Sequence, residues 1–196
     1  VSADDKARVI AKRTAWAKGC VYETSKQFEL LKVEVEDRGT NSFSRNNCKV
    51  SFAIEVPART QVQVKNGSGD VIVSGIEGEI DFKLGSGDLK INSVTSKVNG
   101  TAGSGDIEIV GEVGATSLRT GSGDIKITYN NPIEEGLIDI KTGSGDAEFS
   151  LPPTMKILTD FKAGNGAVDS EFGSDRAARF KVSMRAGSGD LKIRKK

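Results

Sequence analysis

Between Val62 and Ile193 apolar and polar residues alternate in short runs, and each pair of runs is joined by one polar tetrapeptide. After the tetrapeptide come Val71-Ile72-Val73, Leu89-Lys90-Ile91, Ile107-Glu108-Ile109, Ile125-Lys126-Ile127, Ala147-Glu148-Phe149 and Leu191-Lys192-Ile193. Apart from Ile72, each reads apolar, charged, apolar, the period of two of a strand with one buried face. Before the tetrapeptide the alternation recurs, as in Ile80, Phe82 and Leu84 or Ile138, Ile140 and Thr142. Each unit therefore predicts a strand, a corner, a second strand and a second corner.

The corner is Gly-Ser-Gly-Asp, beginning at Gly67, Gly85, Gly103, Gly121, Gly143 and Gly187, with a degenerate Gly-Asn-Gly-Ala at Gly164. Successive spacings are 18, 18, 18, 22, 21 and 23 residues. A near-constant period with identical corners fits units stacked on their own copies better than a meander of hairpins. Glycine supplies the unusual backbone angles that the corners need. The fold expected is all-β, a single-domain parallel β-solenoid (β-helix) of about seven 18–23-residue turns, with an antiparallel sandwich as runner-up. Residues 129–132, 151–153 and 173–175 read as loops bulging from one edge.

Residues 1–55 are expected to form an N-terminal cap of irregular strands within the same domain, and 56–196 the repeats. Phe28–Asp37 and Lys49–Pro57 alternate as strands. Residues 4–18 fit either a short helix capped by Ser2 or Asp4, or another strand. At the far end the final turn, closing on Ile193, is followed only by Arg194-Lys195-Lys196, so either those charges guard an open edge or two molecules meet there.

The run from Val50 to Gly75 contains Ile-Glu-Val-Pro and then Val-Gln-Val-Lys-Asn-Gly-Ser-Gly-Asp-Val-Ile-Val-Ser-Gly. With the repeated Ser-Gly-Asp-apolar-x-apolar pattern, it resembles the "putative adhesin" domain family of unknown function, found in exported bacterial proteins. The resemblance covers residues 50–196. It implies a right-handed, adhesin-head-like β-solenoid and brings no catalytic residues.

Composition narrows the chemistry. Net charge is +1, from 28 basic and 27 acidic residues, so no global field draws nucleic acid or a membrane surface. The absence of histidine removes zinc–histidine sites, histidine-dependent nucleophiles and the commonest general base. No run is long and apolar enough to span a membrane. The first residue is Val1, which reads as a processed or trimmed start. Cys20 and Cys48 are the only cysteines. In an exported protein they are candidates to pair, for about 3–4 kcal/mol in the chain-entropy model; free cytosolic thiols are the alternative.

In a stack, each repeat position becomes a column. Asp70, Asp88, Asp106, Asp124, Asp146 and Asp190 form one, with Ala167 as its gap. The reading preferred is a structural corner ladder in which each carboxylate accepts backbone N–H bonds, over a calcium site. Neither a metal nor a cofactor is expected. Ser68, Ser86, Ser104, Ser122, Ser144 and Ser188 read as a second, hydrogen-bonded ladder, since a nucleophile without a base is none. Two residues before each corner stand Lys65, Lys83, Thr101, Arg119, Lys141, Lys162 and Arg185, all pointing outward by alternation. Two further back lie Gln63, Asp81, Asn99, Ser117, Asp139, Asp160 and Ser183.

A cationic column must be compensated or used. Compensation would come from Asp81, Asp139 and Asp160 or from the corner aspartates; use would mean an extended polyanion. The function expected is a non-catalytic exported binding or structural module, adhesin-like, with a polyanionic cell-surface glycan or an envelope protein as partner. Nucleic acid is not expected, because aromatics do not interleave with the column. One alternative is an envelope scaffold self-associating end to end through the solenoid ends. The other is a carbohydrate-active enzyme on a β-helix, its candidate cluster being Asp160, Asp169, Glu171, Asp175, Arg176 and Arg179.

Overall fold

The structure is a computed structural model that describes residues 6–15, 20–27, 30–37, 48–93 and 95–196. Its residues group into two compact units, Val1–Pro57 and Ala58–Lys196. All regular structure among the described residues is β.

In the first unit, β1 (Arg8–Ala15) pairs antiparallel with β4 (Lys49–Glu55), and β2 (Cys20–Gln27) with β3 (Leu30–Asp37). The segment read as helix or strand is thus a strand over Arg8–Ala15, while Ser2, Asp4 and Phe28 lie outside the described residues. A disulfide joins Cys20 to Cys48 with 5.6 Å between their Cα atoms. Tyr22 meets Phe52 edge-on at 6.3 Å, and the Arg13 guanidinium lies 5.4 Å from the Tyr22 ring centre.

The second unit is a parallel β-solenoid built from seven strand pairs. They are β5 (Val62–Ser68) with β6 (Val71–Ser74), β7 (Ile80–Ser86) with β8 (Leu89–Asn92), and β9 (Thr95–Ala102) with β10 (Ile107–Val110). Then come β11 (Val113–Ser122) with β12 (Ile125–Thr128), β13 (Glu135–Ser144) with β14 (Ala147–Leu151), β15 (Ile157–Asn165) with β16 (Val168–Ser170), and β17 (Arg179–Ser188) with β18 (Leu191–Lys195). Odd-numbered strands build one seven-stranded sheet and even-numbered strands the other. Equivalent residues stand directly over one another, as Ile91, Ile109 and Ile127 do in the core, each fully buried. Where one turn is bulky its neighbour gives way: a Cβ on Gly100 would collide with the Phe82 ring, and one on Gly136 would crowd Phe180.

The stacking order departs from chain order at one place. The final pair, β17 and β18, lies between β13–β14 and β15–β16. Its core residues Phe180, Val182, Met184, Leu191 and Ile193 are fully buried. The expectation that the last turn lies open behind Arg194-Lys195-Lys196 is therefore wrong. The degenerate repeat at Gly164 is the end of the stack, and the backbone of Ser174 and Asp175 crosses the start of β15 there, with Asp175 N–H donating to the Ile157 carbonyl at 2.8 Å.

The corner chemistry explains why the degenerate repeat suits the end. Each aspartate accepts, through Oδ1, the backbone N–H of the equivalent residue one turn on. Asp88, Asp106, Asp124, Asp146 and Asp190 donate in turn at 2.8–3.0 Å, and Ala167 donates last, to Asp190. Ala167 has no further turn above it, so no carboxylate is called for. From the second corner to the Gly187 corner, both glycines are required by close approach to the turn beneath. Gly123 has φ of +115°, and a Cβ there would sit under 3.0 Å from the Gly105 carbonyl. The serines form no side-chain ladder, which corrects that expectation: they face solvent, and it is their backbone N–H groups, as in Ser104 and Ser122, that bond the preceding turn.

The long corner at 129–132 bulges only from Asn130 onward. Tyr129 is fully buried, donates its hydroxyl to the Val113 carbonyl at 2.6 Å and meets Phe180 edge-on at 5.6 Å. Burial pushes its phenol well above the ordinary tyrosine range.

Candidate functional site

The two outer faces of the solenoid carry opposite electrostatic designs. On the even-numbered sheet the central outward residues run, in spatial order, Lys90, Glu108, Lys126, Glu148, Lys192 and Asp169. Charges of opposite sign alternate at every step, about 4.8 Å apart. Lys90 Nζ meets Glu108 Oε2 at 2.9 Å. The alternation continues to the end of the stack only because β18 is inserted: in chain order Glu148 would be followed by Asp169. At the end of this face Arg194 donates to Asp169 at 2.6 Å; that hydrogen bond, and then the guanidinium charge, hold the Asp169 carboxyl below its ordinary value.

The odd-numbered sheet does the reverse. Strand register places Lys65 beside Lys83, then Thr101, Arg119, Lys141, Arg185 and Lys162. The last four form an unbroken cationic run of about 14 Å at strand spacing. All are outward, five exposed and Lys141 half-buried. Among the described residues, none of the six basic side chains forms an ion pair or a hydrogen bond. The compensation expected from Asp81, Asp139 and Asp160 is not made as direct contacts. The column carrying those acids, Gln63, Asp81, Asn99, Ser117, Asp139, Ser183 and Asp160, runs alongside, two residues or about 7 Å away. The face is therefore a ribbon, cationic along one line and rich in short hydrogen-bonding groups along the next.

Thr101 interrupts the cations. Around it an open depression of about 250 Å³ is lined by Asp81 and Phe82 of β7, Asn99, Gly100 and Thr101 of β9, and Ser117 and Arg119 of β11. Asn99 Nδ2 donates to Asp81 Oδ1 at 3.2 Å, which orients the carboxylate. Column reading marked Thr101 as a gap without revealing a hollow there. The signal was the adjacent small pair Gly100-Thr101, flanked in the stack by Lys83 and Arg119.

The irregular acidic and basic cluster does not gather into one site. Asp160 lies on the outer face of β15 and Asp169 on that of β16, so they belong to different sheets. Glu171 accepts the Lys195 N–H, Asp175 accepts the Ala177 N–H, and Arg179 is taken up by Glu134 and Glu135.

The sequence pattern of the Toastrack DUF4097 family matches residues 23–194. The chain belongs to this family. The toastrack match thus covers both the solenoid and most of β2 to β4. A solved structure from Clostridium sporogenes, described as a "putative cell adhesion protein", is 16% identical, with 97% of this chain and 82% of that one aligned at a TM-score of 0.43. No curated protein matches the chain. No helix among the described residues is long and apolar enough to cross a membrane.

Proposed function

We propose that this toastrack chain is a non-catalytic, exported, adhesin-like binding module that holds a polyanionic glycan along its cationic column. One observation carries the reading: the even-numbered face alternates basic and acidic positions along its central line, with Lys90 and Glu108 in direct contact, while the odd-numbered face stacks six basic side chains in a line without an acidic partner. Stacking like charges at strand spacing costs stability unless a ligand offsets it. The Cys20–Cys48 disulfide supports export, since such bonds persist in oxidising compartments. A non-catalytic role is supported by four of the six irregular residues, Asp169, Glu171, Asp175 and Arg179, being taken up in separate local contacts rather than converging.

The test is binding to a panel of acidic and neutral bacterial polysaccharides at low and high salt. Native protein is compared with a Lys83→Glu, Arg119→Glu, Lys141→Glu triple variant. Three surface charge contacts at about 0.5–1 kcal/mol each predict a loss of roughly 10- to 100-fold at low salt. Binding that is insensitive to both salt and the triple variant would remove the column from the mechanism and turn attention to the solenoid's end at β15–β16.

A further inference from the structure

The depression at Thr101 interrupts the cationic line, and its lining is unlike the rest of that line. A ligand that offered only negative charge would gain from a seventh base here and would be repelled by Asp81. The structure instead places a carboxylate, an amide, two hydroxyls and one guanidinium around a shallow hollow. Carboxylate and amide oxygens accept hydrogen bonds from hydroxyl groups, the amide nitrogen and guanidinium donate, and the threonine and serine hydroxyls do either. That set matches a ring bearing several hydroxyls and one anionic substituent.

The spacing agrees. Lys83 and Arg119 stand two strand spacings apart, about 9.6 Å, with Thr101 midway between them. A ring seated over Thr101 has a cation on each side along the column and Asp81, Asn99 and Ser117 along its flank. Asp81 is already held by Asn99, so the carboxylate does not have to be ordered by the ligand.

We infer that the hollow bounded by Asp81, Asn99, Thr101, Ser117 and Arg119 is a sugar subsite, and that the polyanion recognised is an acidic polysaccharide of the polyuronate type rather than a polyphosphate. The inference rests on the cationic column being the binding face and adds the recognition of hydroxyl groups to it.

Two single substitutions separate hydroxyl recognition from charge. Thr101→Lys fills the hollow and Asp81→Asn removes its carboxylate; each makes the face more positive by one charge. Binding is measured against alginate, a polyuronate, and against long-chain inorganic polyphosphate. The expected result is alginate affinity reduced by roughly threefold to tenfold in both variants, the worth of one hydrogen bond, with polyphosphate affinity raised. Affinity for both polymers rising together in the two variants would overturn the subsite while leaving the column as the binding face. Native protein that binds neither polymer, with the triple variant behaving identically, would overturn the column reading as well.

Discussion

Replacing Asp106 by alanine and, separately, by asparagine measures what the corner ladder contributes. Asp106 Oδ1 accepts the Asp124 N–H at 2.8 Å, and its own N–H donates to Asp88. Alanine removes acceptor and charge together; asparagine keeps an acceptor and removes only the charge. Two opposing quantities are involved. A neutral acceptor for this N–H is worth about 0.5–1.5 kcal/mol, and a charged one somewhat more. Against it stand two neighbouring carboxylates at about 4.8 Å, each repelling by about 0.9 kcal/mol in water, reduced to about 0.5 at physiological salt. The charge and its repulsion nearly cancel, so Asp106→Asn should fall within about 0.5 kcal/mol of native. Asp106→Ala should lie about 1 kcal/mol below the asparagine variant, or about 3 °C in Tm for a unit of this size. The assay is urea unfolding followed by far-UV circular dichroism at low salt and at about 1 M salt, where the screening length is about 3 Å. The gap between alanine and asparagine should not move with salt, while both should shift together relative to native. Equal stability of the two variants would refute the ladder as a source of stability. A large rise in native Tm on adding calcium would show that the carboxylates serve a metal instead.

Two further outcomes follow from the geometry. Gly123→Ala should destabilise by about 2–4 kcal/mol, through its positive φ and the clash with the Gly105 carbonyl, whereas Gly67→Ala, whose Cβ would meet nothing within 4 Å, should be neutral or slightly stabilising; thermal unfolding distinguishes them. Because Arg194 depresses the Asp169 carboxyl, that contact stabilises the end turn above the ordinary value near 3.8 and is lost as pH falls through the lower folded value, so the protection of β16 amides relative to their intrinsic exchange should fall in acid and Asp169→Asn should abolish the change.

The strands were legible because each Gly-x-Gly-Asp corner has to satisfy a local steric demand that no other residue meets. Between corners, period-two alternation states which face is buried. The basic column was equally legible, since parallel register brings equivalent positions together. The place of the last turn was not. Local alternation is the same whichever copy a turn stacks upon, and spacings of 21 and 23 residues resemble 22. Only two faint marks point to the insertion: Ala167 in the aspartate column, and the sign order Glu148, Lys192, Asp169. The hollow at Thr101 was hidden because it depends on what three adjacent strands lack together. Tyr129 was misread because a tyrosine beside Asn-Asn-Pro has the composition of a loop, and only the partner at Val113 shows that it is core.

The inserted turn also imposes an order in time. A chain emerging amino end first can lay down β5 to β14 as each pair appears, every turn finding its seat already made. The next pair, β15 and β16, arrives while its seat does not yet exist, because that seat is β17 and β18. It must either wait unpaired or rest provisionally on β13 and β14 in the register that Phe180 to Ser188 will later occupy. In the second case completion is the displacement of an early lodger by a late arrival; in the first it is the filling of a seat left empty. The step that closes the stack is reserved for residues 179–196, which are made after the pair they must underlie, and a stack still waiting for them has its gap in the interior rather than at its end.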